Sequence, residues 1–474
     1  MYYINGEWHE SDQKEQITNP ATLEVIDTIS VCGAEETKVA IAAAKEAFKS
    51  WKKTTGDQRS AYLSKTVKLM KARVDELAQI ITLENGKPLP DAKREVLGAI
   101  SYLDWYAEEA KRIYGEVLPA SHKDKSLMVI KQPVGVCGAI TPWNFPLSMI
   151  TRKLAPALAA GCTVVLKPAM ETPLSAIKVF ECFHEAGLPK GVVNLVIGPD
   201  AEGIGKELTS STDVRKLTFT GSTFVGKKLV RDSADTMKKV SMELGGHAPY
   251  IVFEDADIDL AVEGVMLSKF KNSGQTCIST NRVYAHKSIA EEFAEKLAKR
   301  TAELKIGDGL EEGTDVGPLI NKKSLDKMKE QVEDAVKNNA KVVTGGNVYD
   351  YEDGDGYFFE PTVILNATDD MVIASEETFG PIAPVFTFES EEEIVEKANN
   401  TLYGLAAYCY TKNLGRGLRM MKELEFGIIG INDPAPIVIQ APFGGIKESG
   451  MGKEGGKFGL EEYLEEKFVS IYEN

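Results

Sequence analysis

Cys277 differs from the other five cysteines in its neighbours. It stands in NSGQTCIST (272–280), polar and glycine-bearing, whereas Cys137 (GVCGA), Cys162 (AGCTVV) and Cys409 (AYCYT) lie in apolar, strand-like runs. A buried cysteine usually behaves as a small hydrophobe. One that follows a glycine-containing loop at the end of a helical pattern is a better nucleophile, because exposure and nearby backbone N–H groups lower a thiol pKa. Glu243, in MELGGHAP (242–249), ends a strand pattern beside Gly245 and Gly246. Those glycines let the chain turn sharply and point a carboxylate into a cleft between domains. Partly desolvated there, it could act as general base toward water, although a solvated or ion-paired Glu at a hinge is the plainer reading. Asn144, in ITPWNFP (140–146), sits at a strand end among two prolines and two aromatics. Its amide can donate to an oxyanion, while a turn-forming Asn is the commoner role.

A fourth feature is a decoy. Gly221 to Lys228 (GSTFVGKK) follows a strand pattern, opens a helix and matches GxxxxGK. Lys228 stands where a nucleoside-triphosphate loop needs Ser or Thr for Mg²⁺, so an NTPase is disfavoured. Glycines at a helix N-terminus still suit the pyrophosphate of a dinucleotide.

These residues need elements to hold them. ETKVAIAAAKEAFKSW (36–51) reads as a helix with Val39, Ala43, Ala47 and Trp51 on one face, and 57–87 and 90–113 are also helical. From about residue 134, short β-branched runs (134–140, 163–168, 193–198, 216–221, 239–244) alternate with amphipathic segments near 148–160, 174–186, 201–209 and 224–235. That alternation implies βαβ units and a parallel sheet. The pattern restarts after Gly245-Gly246 with YIVF (250–253), a helix at 257–271, RVYAHK (282–287) and a helix at 289–303. KVVTGG, EPTVIL, APVFTF, GLAAYCYT and GIIGIN follow as further strands. The expected fold is α/β: two Rossmann-like open-sheet domains plus a small β oligomerisation arm. A dinucleotide-binding domain takes 1–112 and 134–244, a catalytic domain 245–446, and the arm 113–133 and 447–474. Segments 124–135 and 461–472 look extended and detached from both series, and strands without local partners often pair with another subunit.

The remaining arithmetic excludes classes. The 474 residues carry 55 Lys+Arg against 71 Asp+Glu, a net charge of −16, which argues against nucleic acid or an anionic membrane as partner. The longest apolar run, 154–166, is too short to span a bilayer, and the N-terminus lacks a signal-peptide layout. None of the six cysteines forms a CxxC pair, and the five histidines show no zinc spacing, so neither a disulfide framework nor a metal site is expected. The expectation is a cytoplasmic protein.

Taken together, TPWNFP, LKPAMETP, FTGSTFVG, MELGG, NSGQTC, EETFGP and PFGGIKESG occur in the order and approximate spacing of the aldehyde dehydrogenase superfamily, which the chain resembles from about residue 3 to its C-terminus. KFKNSGQTCISTNR, EETFGPIAPVFTF and APFGGIKESGMGKEGGKFGLEEYLEEKF are most similar to its succinic semialdehyde dehydrogenase branch. The resemblance implies NAD(P)-dependent oxidation of a small aldehyde. Cys277 would form a thiohemiacetal whose oxyanion is held by the Asn144 amide and the Cys277 backbone N–H; losing one such donor typically costs about 3 kcal/mol. After hydride leaves for the nicotinamide, Glu243 would activate water against the thioester. Lys167 and Glu377 match ribose contacts, Ser222 with Gly221 and Gly226 the pyrophosphate turn, Phe379 the nicotinamide neighbour, and Ile140 and Trp143 the cleft walls. A homodimer or homotetramer is implied.

Several positions depart from the pattern. Met170 stands where NAD-preferring relatives carry Glu, so it neither binds a ribose 2′-OH by carboxylate nor repels a 2′-phosphate. Tolerance of NADP follows, with NAD open. Arg152 matches a carboxylate-binding arginine of the semialdehyde branch. The second such arginine is Lys271 here, which keeps the charge and loses the bidentate fork, and an expected serine falls in Ile437-Val438-Ile439. Ser279 replaces a second cysteine, and His247 an asparagine. The alternatives are a dehydrogenase of uncharged aldehydes, a cysteine hydrolase or acyltransferase using Cys277 with His247, and a non-catalytic relative.

Overall fold

Strands buried on both faces are apolar along most of their length, and the alternation of their side chains then feeds two cores. Thr163–Lys167 is such a strand: Val164 and Leu166 enter one core and Val165 the opposite one. The computed structural model describes residues 1–351, 354 and 356–473. Its first sheet contains Tyr2–Ile4 (β1), Glu7–His9 (β2), Val136–Ile140 (β3), Thr163–Lys167 (β4), Val193–Leu195 (β5), Val214–Thr220 (β6) and Lys239–Glu243 (β7). Their spatial order is β7-β6-β3-β4-β5-β1-β2, with the short strand Gly450–Met451 outside β7. The five central strands run parallel. The chain leaves β3 toward β4 and β5, then returns to the other side of β3 with β6. That reversal makes the β3/β6 junction a topological switch point, where ligands bind outside the carboxyl ends.

The second sheet contains Ala248–Val252 (β8), Thr280–His286 (β9), Lys341–Thr344 (β10), Thr362–Leu365 (β11), Ile382–Phe388 (β12), Ala406–Tyr410 (β13) and Ile428–Ile431 (β14). They lie in the order β10-β11-β12-β9-β8-β13-β14, all parallel except the β10/β11 pair. Tyr250 and Val252 face one core and Ile251 and Phe253 the other.

Two expectations change. The helix Ala34–Trp51 buries Thr37, Ala40, Ile41, Ala44 and Trp51, while Val39 is 58% exposed. The apolar stripe is offset by one position because this helix packs on β4 and the helix Ala201–Ser210. The two extended segments also have partners within the chain: Leu464–Tyr472 pairs antiparallel with Lys125–Pro133 over nine residues, and Glu116–Leu118 adds a third strand. Among the described residues, no helix is long and apolar enough to cross a membrane.

Candidate active site

Four strand ends meet at the switch point: Ile140 of β3, Lys167 of β4, Thr220 of β6 and Glu243 of β7. Ile140 and Lys167 are register partners. Facing them, from the N-terminal side of β9, comes the turn that carries Cys277. This turn is tightly wound, with Asn272, Ser273 and Gly274 all left-handed (φ 49°, 56° and 74°). Such backbone costs on the order of 1–3 kcal/mol at each non-glycine residue and persists only where surroundings hold it. Here the Ser273 hydroxyl donates to the Gly317 carbonyl at 2.8 Å, and the Asn272 amide to the Asn144 carbonyl at 2.9 Å.

Between the two sheets lies a cavity of about 220 Å³ lined by Trp143, Asn144, Gly221, Ser222, Cys277, Glu377 and Phe379, among others. Asn144 is buried, and one N–H of its amide donates to the Gln275 carbonyl at 2.9 Å. An amide nitrogen has two hydrogens, so the second is free for a negative oxygen on a carbon attached to Cys277. Burial pushes the Cys277 thiol up to about 12, against the pull of the Arg152 guanidinium and of its own backbone N–H. The lowered thiol pKa expected from the sequence is therefore not met, because desolvation outweighs both donors.

Glu243 does not line the cavity. It is 3% exposed, with neither carboxylate oxygen hydrogen-bonded. A Cβ on Gly444 (φ +152°) would fall 2.6 Å from its Oε1, so a larger residue there would push the carboxyl aside. Desolvation and the nearby Glu454 hold Glu243 well above the usual carboxylate range. Glu454 is held below it by Lys153, whose Nζ is 2.6 Å away, and by Arg152.

The cofactor side is built from donors and acceptors with spare capacity. Glu377 Oε1 accepts from the Gly246 N–H at 2.8 Å, and burial raises its carboxyl to about 7. Lys167 is buried, its Nζ bonded to the adjacent Pro168 carbonyl at 3.2 Å. Ser222 caps the helix Thr223–Ser233. Gly226 sits where a Cβ would meet Leu244 at 2.3 Å, so it serves helix-to-sheet packing. Trp143 and Phe379 pack edge to face with centroids 5.5 Å apart. Met170 leans on the apolar core, away from any polar task. A part-free carboxylate, a spare ammonium and a helix N-terminus open to the cleft fit the two riboses and pyrophosphate of a nicotinamide dinucleotide.

The two proposed substrate cations are not brought together. Arg152 is buried beside Glu454, with Nε 3.1 Å from Oε2, and lies over the Phe443 ring at 3.9 Å. Its Nη2 has no hydrogen-bond partner. Lys271 lines a separate groove with Asp91, Arg94 and Glu263. It is exposed and lies outside the residues that line the Cys277 cavity, so the structure does not place it as an inner clamp. His247 is fully buried, its Nε2 bonded to the Ala374 carbonyl at 2.9 Å, and burial holds its pKa well below the usual value. A neutral ring bonded away from Cys277 assembles no Cys–His pair.

Sequence reasoning missed Lys153, Glu454, Lys87 and Glu95. The helix Ser148–Ala160 gave one signal: it is buried at every position from Met149 onward, Lys153 included, and a lysine there demands an anion.

The chain matches the Aldehyde dehydrogenase family over residues 8–469. Glutarate-semialdehyde dehydrogenase of Pseudomonas putida is 51% identical over 471 residues, covering 99% of this chain and 97% of that one. Succinate-semialdehyde dehydrogenase (NADP+) GabD of Escherichia coli is 49% identical over 470 residues, covering 99% and 97%. The crystal structure of betaine aldehyde dehydrogenase from Staphylococcus aureus in complex with NAD+ superposes with a TM-score of 0.97 at 37% identity, covering 100% of this chain and 95% of that one.

Proposed function

The chain belongs to the aldehyde dehydrogenase family, and from that premise we propose that it oxidises a short semialdehyde, an aldehyde with a carboxylate at its far end, to the diacid. It is an NAD(P)-dependent enzyme. The observation that carries the reading is the presence of Cys277 and the Asn144 amide in the walls of one cavity.

Cys277 Sγ, once deprotonated, adds to the carbonyl carbon, and the carbonyl electron pair becomes an oxyanion. The Asn144 amide receives that charge with the N–H that Gln275 leaves free. The nicotinamide, when bound, supplies the hydride acceptor. The acyl group then rests on Cys277 as a thioester. Glu243, turned from its recess, takes a proton from water as water adds to the acyl carbon and the thiolate leaves. Lys167 and Glu377 hold the riboses, and Gly221, Ser222 and the helix behind them the pyrophosphate. Ile140 walls the cleft. Met170 leaves the 2′ position without a carboxylate, so both NAD+ and NADP+ serve. Arg152, whose guanidinium acts on the Cys277 thiol, would meet the substrate carboxylate through its unpaired Nη2. The chain works as a homodimer or homotetramer through its three-stranded arm, in a reducing compartment where its six thiols stay free.

The test is a matrix of NAD+ and NADP+ against succinic semialdehyde, glutaric semialdehyde and butanal, read at 340 nm. One charge-assisted hydrogen bond is worth about 1.5–3 kcal/mol, so the acids should exceed butanal in kcat/KM by about 10- to 100-fold. Arg152→Leu should erase that advantage. An equal kcat/KM for butanal would leave the aldehyde dehydrogenase reading standing and remove the semialdehyde one.

A further inference from the structure

Nothing in the catalytic cleft explains Lys87 and Glu95. Both are buried, their side chains 1% exposed, with Lys87 Nζ 2.6 Å from Glu95 Oε2. A buried ion pair is seldom more stabilising than an apolar pair of equal volume, because desolvation offsets the attraction. What it does provide is donors and acceptors at fixed points.

Those points all lie on one segment. Lys87 Nζ donates to the Asn144 main-chain carbonyl at 2.7 Å and stands 4.1 Å above the Phe145 ring. Glu95 Oε1 accepts the N–H groups of Leu147 and Ser148 at 2.9 and 3.2 Å. The Asn85 amide donates to the Trp143 carbonyl at 3.1 Å. From the opposite side, the Asn272 amide donates to the same Asn144 carbonyl at 2.9 Å. The peptide that carries the oxyanion donor is thus gripped by the helix pair 74–109 and by the turn that carries Cys277, while neither Lys87 nor Glu95 lines the cavity.

We propose that Lys87, held by Glu95, and Asn272 are positioning residues that clamp the Asn144 main chain and so keep its amide aimed at the carbon attached to Cys277. This rests on the reading of Asn144 as the oxyanion donor. A clamp acts only through the group it holds. Its loss should therefore matter while Asn144 is present and matter little once the amide is gone.

The experiment is a double-mutant cycle on the full-length enzyme with Lys87→Met, Asn144→Ala and both. It reads kcat at saturating cofactor, KM for cofactor, and alkylation of Cys277 by iodoacetamide, a reaction that forms no oxyanion. Asn144→Ala should lower kcat about 100-fold or more. Lys87→Met should lower it about tenfold or more alone and less than about threefold further in the Asn144→Ala background. Cofactor KM and alkylation rate should stay near wild type. Losses that multiply in the double variant, or a Lys87→Met enzyme with wild-type kcat, overturn the clamp and leave Asn144 its role. If Asn144→Ala keeps wild-type kcat, the oxyanion reading falls and the clamp falls with it. Should Lys87→Met not fold, the same cycle is run with Asn272→Gly. That change removes the other donor while tolerating the left-handed backbone, and the same results decide.

Discussion

Glu243 and Glu454 divide the labour of one buried charge cluster. Lys153 and Arg152 stabilise the charge on Glu454, while desolvation and the charge of Glu454 raise the Glu243 carboxyl well above the usual range. A general base must first lose its proton, so the sign is fixed. Raised above the usual range, Glu243 becomes competent only as pH increases past the ordinary carboxylate range, so thioester hydrolysis should speed up from acid toward alkaline pH. In Glu243→Gln no proton acceptor remains. Rapid mixing with saturating aldehyde should then give one equivalent of reduced cofactor per active site, followed by turnover at least about 100-fold slower than wild type. Steady turnover near the wild-type rate would assign the base elsewhere. Arg152 links this cluster to the nucleophile, since it draws the Cys277 thiol down from where burial places it.

At the scale of elements, the link 244–247 joins β7 of the first sheet to β8 of the second, and His247 is its last residue. Asn281 donates to the Gly246 carbonyl and Arg282 to that of His247, fixing the junction to β9. His247 is neutral in the fold, yet in the unfolded chain it takes up a proton near pH 6.5. The unfolded state binds more protons below that pH, so stability falls on acidification. His247→Asn keeps a donor for the Ala374 carbonyl and removes the titration. Between about pH 6.5 and 5 the wild type should lose up to about 1.4 kcal/mol per pH unit more than the variant in urea titrations. Parallel curves would show that His247 does not titrate differently on folding. These elements were legible in sequence because strands buried on both faces read as unbroken apolar runs, so β4, β8 and β13 stood out. The lone helix stripe at 36–51 did not, since alanines on two faces satisfy the same spacing. Cys277, Asn144, Glu377 and Phe379 could be named from motifs. Lys153 with Glu454 could not, as the partners lie 301 residues apart, and Lys87 lay hidden because charge in a sequence reads first as surface.

For the molecule as a whole, the arm carries a surface that a single chain leaves uncovered. Leu464–Tyr472 and Glu116–Leu118 are the edges of its sheet, and Val117, Phe468, Tyr472 and Ile130 are 86%, 61%, 57% and 41% exposed. A nine-residue edge with free backbone groups and exposed apolar side chains invites a partner. A second copy is the partner that symmetric assembly favours. Each copy brings a net charge of −16, so association works against like-charge repulsion, and the contact must be held by apolar area. Two consequences follow for sedimentation velocity of the 51.8 kDa chain. The wild type should run as a dimer or tetramer, and added salt should tighten it, because screening weakens repulsion between copies and leaves burial intact. Phe468→Asp places another negative charge at the edge and should release the 51.8 kDa species, again more completely at low salt. An unchanged sedimentation coefficient in Phe468→Asp, or a wild type that is monomeric, would place the contact elsewhere and leave the arm without its assigned role.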